Sequence, residues 1–531
     1  MNLPADLARL RFDARFTEAL PADPLTLAQP RIVQGAAYSF CAPTPVPAPR
    51  LLAWSADCAW LLGLPAQPDD ADAAAGIFAG NRLLPGSQPY ATCYGGHQFG
   101  QWAGQLGDGR ALMLGTVIGP AGLRQEVQLK GAGLTPYSRH ADGRAVLRSS
   151  LREYLCSEAM HHLGVPTTRA LCLVATGEPV VRDMFYDGHP QAEPGAIVTR
   201  VAESFLRFGH FELPAARGDT ALLKALLDHA LTTHFPTLGA PSRDAYVALF
   251  REVCRRTAGL VAHWLRVGFV HGVMNTDNLS LLGLTIDYGP YGWLDAFDPG
   301  FTPNTTDRGG RYAYAEQARV AGWNLACLAN ALLPLVEDAS ALEAALETYS
   351  DHFERSYLGV LRDKLGLPAQ AGDAAAQADF GLASALFACF AEVETDMTIF
   401  YRRLARIAPG ASPQAALEEI APAFYAAPTE AARARFAEWL THWQARLASS
   451  PEDPAARRAR MDAANPWLIP RNWLAQQAID AASAGDMQPL ERLMRALREP
   501  YREQPDHADL AARRPDWARH APGCAALSCS S

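Results

Sequence analysis

Phe269-Val270-His271-Gly272-Val273-Met274-Asn275-Thr276-Asp277-Asn278-Leu279, followed closely by Leu284-Thr285-Ile286-Asp287-Tyr288-Gly289, is the stretch that decides the fold. It sets Asp277, Asn278 and Asp287 on short polar turns between apolar segments. Asn278 and Asp287 are hard oxygen donors of the kind that hold magnesium or manganese against phosphates. Asp277 is the nearest carboxylate able to accept a proton. The competing reading is a plain polar turn between helices, and the number of coinciding positions weighs against it.

The catalytic loops of protein kinases and aminoglycoside kinases read His-Arg-Asp or His-Gly-Asp, then four residues, then a metal-binding Asn. An Asp-Phe-Gly follows about ten residues on. Here the His, the Asn and an Asp-Tyr-Gly fall in register, while Val273 stands where the catalytic Asp is usual. An apolar side chain can neither orient an acceptor hydroxyl nor take its proton, so ordinary γ-phosphoryl transfer is in doubt. The fold expected is α+β and protein-kinase-like: a β-rich N-lobe, a helical C-lobe, an N-terminal extension and additional C-terminal helices.

Upstream, glycine-punctuated apolar runs at 111–118, 126–130, 170–174 and 196–201 read as strands. One helix interrupts them, starting near Ala145 with Leu147, Leu151, Leu155, Ala159 and Leu163 at three-to-four spacing and stopping at Gly164-Val165-Pro166. Lys130 closes a strand and Glu153 lies on that helix, the order in which kinases present a phosphate-gripping lysine held by a carboxylate. The alternative is an unpaired lysine and a solvated glutamate. Gly104, Gly107 and Gly109, before Arg110, form a loop whose backbone could approach phosphates, or an ordinary glycine turn. Arg200 and Arg207 add guanidinium forks suited to phosphate, and either could instead pair with Glu203 or a helix carboxylate.

The 531 residues are 49% hydrophobic and 19% charged, enough to bury a large core. A net charge of -9 argues against nucleic acid as the main partner. No run of about 18 apolar residues and no basic-then-apolar leader is evident, so a cytoplasmic protein without a membrane partner is expected. Ten cysteines without a Cys-x-x-Cys pair read as reduced and structural. The exceptions are Cys524 and Cys529 in a short, small-residue end expected to be flexible, where a redox role competes with a frayed terminus. The expected layout is an extension at 1–85, an N-lobe at 86–210, a C-lobe at 211–345, a helical region at 346–510 and the tail at 511–531.

With these blocks in hand, the sequence resembles the selenoprotein O (YdiU) family. The matching text is Tyr94-Gly-Gly-His-Gln-Phe-Gly-Gln-Trp102, Gly107-Asp-Gly-Arg110, Gln128-Leu-Lys-Gly-Ala-Gly133, Thr135-Pro-Tyr-Ser-Arg139, Ala141-Asp-Gly-Arg144, residues 271–278, Ile286-Asp-Tyr-Gly-Pro290 and the terminal Cys529-Ser-Ser. The resemblance implies a kinase-like protein adenylyltransferase that moves AMP from ATP to Ser, Thr or Tyr hydroxyls of proteins, with ATP flipped relative to kinases and pyrophosphate released. It implies that Gly107, Gly109, Arg110, Lys130, Asp142, Gly143, Arg200 and Arg207 contact the nucleotide, with Glu153 paired to Lys130. Asp277 would be the proton acceptor, and Asn278 and Asp287 would hold Mg2+ or Mn2+. Cys529 stands where eukaryotic members carry selenocysteine, so redox partners through Cys524 and Cys529 belong to the same expectation. UMP transfer from UTP, an atypical kinase and a non-catalytic nucleotide-binding scaffold are the alternatives.

Overall fold

A computed structural model describes residues 3–120, 122–449 and 452–528. Its β-rich half is built on an eight-stranded sheet. Across the sheet the strands run Tyr38–Phe40, Tyr90–Thr92, Ala111–Ile118, Arg124–Lys130, Gln191–Ala202, Arg169–Arg182 and Arg50–Trp54, with Phe12–Asp13 also pairing onto Ala111–Ile118. All of these pairings are antiparallel. The strands expected at 111–118 and 126–130 are present, and the two later ones run longer than their apolar cores. Alternation along Arg124–Lys130 sends Val127 and Leu129 into one apolar layer with Leu112, Leu114, Ile197 and Val201. Gln128 and Lys130 therefore face the other way. Lys130 pairs in register with Val198, and Gln128 with Arg200, which puts Lys130, Gln128 and Arg200 on a common face.

That face receives the helix Leu147–His162, which ends before Gly164 at φ 69°. A single amphipathic stripe would leave its opposite side in water, yet nearly every residue from Leu147 to Met160 is buried. The helices Asn472–Ser483 and Gln488–Leu497 cover it, sharing one core with Leu151, Leu155 and Leu474. Three of its buried charges are ion-paired, Arg148 with Glu193, Glu158 with Arg169 and Glu153 with Lys130, while the fourth, Arg152, donates to Tyr291 O at 2.6 Å and lies over the Tyr291 ring.

The helical half rests on Arg243–Val267, capped by Ser242 and ended by Gly268 in the left-handed region, packed against Ala339–Leu365 and Gln317–Val336. Directly after it, Phe269–Val270 pairs with Gly292–Trp293. This two-stranded clasp closes the base of residues 271–291, so the turns carrying Asp277 and Asp287 leave one rigid point.

Several sequence expectations need correction. The extension expected at 1–85 is also part of the sheet, because Tyr38–Phe40 and Arg50–Trp54 occupy opposite ends of the strand order. Boundaries at 210 and 345 fall inside the helices Gly209–Ala216 and Ala339–Leu365. The tail is not loose through residue 528: Cys524 and Leu527 are buried, Leu527 N–H donates to Pro303 O at 2.8 Å, and Arg519 pairs with Glu394. Burial pushes the Cys524 thiol up to about 11, the opposite of what a reactive thiolate requires. Cys529 lies outside the described residues. Although no strictly apolar run exists, Tyr314–Val336 is long and apolar enough, at mean hydropathy 1.3, to cross a membrane by length and composition. Here Val320, Leu325, Leu328 and Leu332 are buried in the core, and Asn324 donates to Met274 O at 2.9 Å.

Candidate active site

The sheet face, the helix Leu147–His162 and the 271–291 segment converge on one cleft of about 900 Å³. Gly107, Gly109, Arg110, Lys130, Asp142, Arg200, Asp277, Asn278 and Asp287 all line it. Glu153 and Arg207 are buried behind that lining, at 2% and 1% exposure.

Lys130 Nζ lies 2.6 Å from Glu153 Oε2 and 3.9 Å from Asp287 Oδ1. Arg200 reaches Glu153 at 3.1 Å and Asp287 Oδ1 at 2.6 Å, and hydrogen-bonds Gln128. Arg207 bonds Asp287 Oδ2 and donates from the same Nη1 to Asp277 O at 2.8 Å. The arginines therefore use the helix carboxylate and Asp287, not Glu203, which sits near His234 at 3.6 Å. Three cations surround Asp287. Burial alone would raise its carboxyl, but Arg207, Arg200 and Lys130 outweigh that and hold it well below the usual carboxylate range. Its backbone sits at φ 54°, in the left-handed region that aspartate enters more readily than most side chains.

Asp277 is the opposite case. It is 7% exposed, and burial drives its carboxyl up to about 7, only partly offset by Arg207 and Gln98. Gln98 Nε2 donates to Oδ2 at 3.2 Å, and Oδ1 is buried without a hydrogen-bond partner among the described residues. Asn278 Nδ2 donates to Val273 O at 2.9 Å, which commits the nitrogen end of the amide and leaves the oxygen end for a cation. The amide oxygen of Asn278 and the Asp287 carboxylate, lining the same cleft, are an all-oxygen donor pair, which fits magnesium or manganese. Val273, in the position of the usual catalytic Asp, lines the cleft with no group to accept a proton.

The glycine loop departs from an open phosphate cradle. Gly109 N–H donates to Gly107 O at 2.9 Å, and a Cβ at Gly107 would meet the Tyr137 ring at 2.5 Å. Asp108 anchors the loop by accepting from Thr92 N and Oγ1 at 2.9 Å and 2.5 Å. These glycines are thus required by packing on Tyr137, whatever else they contact. Asp142 stands at the rim, paired to Arg182 at 2.7 Å. Gly143 does not line the cleft; a Cβ there would lie 2.1 Å from Gly133 O.

Sequence reasoning assigned no role to Gln98, Tyr137, Arg139 or Arg182, all of which line the cleft. Gln98, Tyr137 and Arg139 lie inside the conspicuous blocks 94–102 and 135–139, which is the signal the sequence offers. Arg182 lay in no motif.

A family model described as protein adenylyltransferase SelO matches residues 28–498. A protein nucleotidyltransferase YdiU of Azoarcus sp. is 58% identical over 529 residues, covering 98% of this chain and 99% of the relative. Proteins of the same name from Nitrosospira multiformis and Xanthomonas axonopodis pv. citri are 54% and 55% identical, again over nearly the full length of both partners. With the family matched over most of its length and its relatives aligned end to end, this chain belongs to the SelO family of protein adenylyltransferases and is an enzyme of the nucleotidyltransferase class.

Proposed function

We propose that the protein has a kinase-like bilobal fold and transfers AMP from ATP to serine, threonine or tyrosine hydroxyls of other proteins. The observation that carries this reading is the pairing of opposites at the cleft floor: a carboxylate crowded by three cations, and a buried carboxyl raised to about 7 beside it. The cations are in excess of what one metal-holding aspartate needs, and they suit a terminal phosphate buried deep in the cleft. ATP entering in the flipped pose sets its γ-phosphate among Lys130, Arg200 and Arg207, and its α-phosphate toward Asp277.

Asp277 in its charged form takes the acceptor proton as the hydroxyl oxygen bonds to the α-phosphorus. The bond from that phosphorus to the oxygen bridging to the β-phosphate breaks, and pyrophosphate leaves. Lys130, fixed by Glu153, and the two arginines hold the leaving charge rigidly, which favours the transition state without reorganisation. Asn278 and Asp287 would hold Mg2+ or Mn2+, which when bound neutralises charge on the phosphate oxygens. Incoming phosphate competes with Asp287 for Arg200 and Arg207, freeing its carboxylate for the cation.

The relatives' names specify nucleotidyl rather than adenylyl transfer and so leave the base open, and UTP is the second donor to examine. Incubation with ATP or UTP labelled on the α-phosphate, and in parallel with γ-labelled ATP, tests the reading. Retention of α-label from ATP on protein is expected. Retention of γ-label alone would establish a kinase instead.

A further inference from the structure

A second cluster of ligating side chains lies behind Asp277 and is used by nothing above. His97 on the strand Gly95–Gln98, Glu212 in the first turn of the helix Gly209–Ala216, and Cys327 on the helix Gln317–Val336 bring one donor atom each to within 4.8 Å of one another. His97 Nδ1 lies 2.7 Å from Glu212 Oε1. Glu212 Oε2 is buried and has no hydrogen-bond partner among the described residues, on a side chain only 3% exposed. A carboxylate oxygen buried without a partner is costly, and a cation is one of the few groups that satisfies it. The Thr276 hydroxyl lies beside the same carboxylate and accepts from His97 N–H at 2.7 Å, so the cluster adjoins the catalytic turn.

We propose that His97, Glu212 and Cys327 form a binding site for a zinc-type divalent cation, distinct from the oxygen-donor pair Asn278 and Asp287. Thiolate is a soft donor and imidazole a borderline one, and zinc takes both at four-coordinate sites alongside a carboxylate oxygen, whereas magnesium and manganese prefer oxygen alone. Three protein ligands leave one position for water, and His97, with 28% of its side chain exposed, opens the site to solvent. Glutamate and thiolate together balance the charge of a divalent ion. Without one, burial and the adjacent Glu212 push the Cys327 thiol up to about 12; a cation reverses that preference and draws the proton off. Trp323, set edge-on to His97 with ring centroids 5.5 Å apart, holds the imidazole plane.

The consequence is local rigidity. His97 is followed directly by Gln98, the donor to Asp277, and a Cβ on Gly96 would lie 2.9 Å from Asp277 Oδ1. A cation at His97 fastens the hairpin Gly95–Gln105 to two helices of the other half, and so fixes Gln98 against the catalytic carboxylate.

Full-length protein stripped with chelator and reloaded with Zn2+ or Co2+ tests this. One equivalent retained per chain is expected, together with a near-ultraviolet thiolate-to-cobalt charge-transfer band and a higher thermal midpoint. Cys327→Ser loses the band, and His97→Gln loses the retained equivalent. If Cys327→Ser does not fold, mass mapping of alkylation in the wild type reads the same contact: Zn2+ shields Cys327 while the other thiols keep their reactivity. No stoichiometric binding, a cobalt spectrum without thiolate character, or a band that persists in Cys327→Ser overturns the proposal.

Discussion

Gln98 Nε2 donates to Asp277 Oδ2 across 3.2 Å, the one side-chain hydrogen bond that reaches this buried carboxylate among the described residues. With its carboxyl raised to about 7, Asp277 is half-charged near neutrality. In the role of base proposed for it, it should make kcat/KM climb with pH through about 7. Asp277→Asn should lower the rate by about 10²-fold or more. Gln98→Leu removes a group that stabilises the charged form, so the acid limb should shift to higher pH. Measured pH profiles of transfer check all three.

The same group predicts a stability trend. Its folded-state pKa lies above the ordinary 3.8, so the folded chain binds that proton more tightly than the unfolded one. Its stabilising contribution is complete below about 3.8 and is lost as pH rises through about 7. Between those limits the difference in unfolding free energy, wild type minus Asp277→Asn, should fall with pH in urea titrations.

Glu153 serves Lys130 at 2.6 Å and Arg200 at 3.1 Å while itself 2% exposed. Glu153→Gln leaves two buried cations short of an anion and should cost about 3–5 kcal/mol in urea unfolding. Lys130→Met combined with Glu153→Leu should be destabilised by less than the sum of the single changes, because the pair is removed together.

Asp287→Asn should separate binding from chemistry. Arg200 and Arg207 lose their carboxylate, so ATP titrated in chelator should bind at least as tightly as to wild type. Transfer supported by Mg2+ or Mn2+ should disappear, as measured with α-labelled ATP.

Asp142 and Gly143 should part company. Gly143 has φ 73° and no room for a Cβ, so Gly143→Ala should destabilise the chain by about 1–3 kcal/mol or more. Asp142 is paired to Arg182 at the rim, with its side chain 48% exposed, and Asp142→Ala should change thermal stability by less than about 1 kcal/mol. If Asp142 contacts nucleotide, its loss should raise KM for ATP instead.

Much of the site was legible because its signals are local. The turn from His271 to Asn278, the following Asp287, the strand ending at Lys130 and the helix carrying Glu153 are each written in a run of neighbouring residues, where periodicity and glycine placement act directly on backbone dihedrals. The presence of Val273 in place of an acid was likewise plain from order alone.

Tertiary packing decided what those residues face. Arg200 and Arg207 take Asp287 rather than the sequence-adjacent Glu203 because strand alternation and the clasp Phe269–Val270 with Gly292–Trp293 bring distant segments to the same cleft. The helix Leu147–His162 is buried on both sides because helices some three hundred residues later cover it. His97, Glu212 and Cys327 meet across intervals that no spacing rule connects. Sequence determines which side chains share a strand face or helix stripe, since those periods are properties of the backbone. Which partner fills the opposite side, and whether a carboxyl there is charged at neutral pH, depends on burial and on the charges around it, and these exist only once the chain has folded.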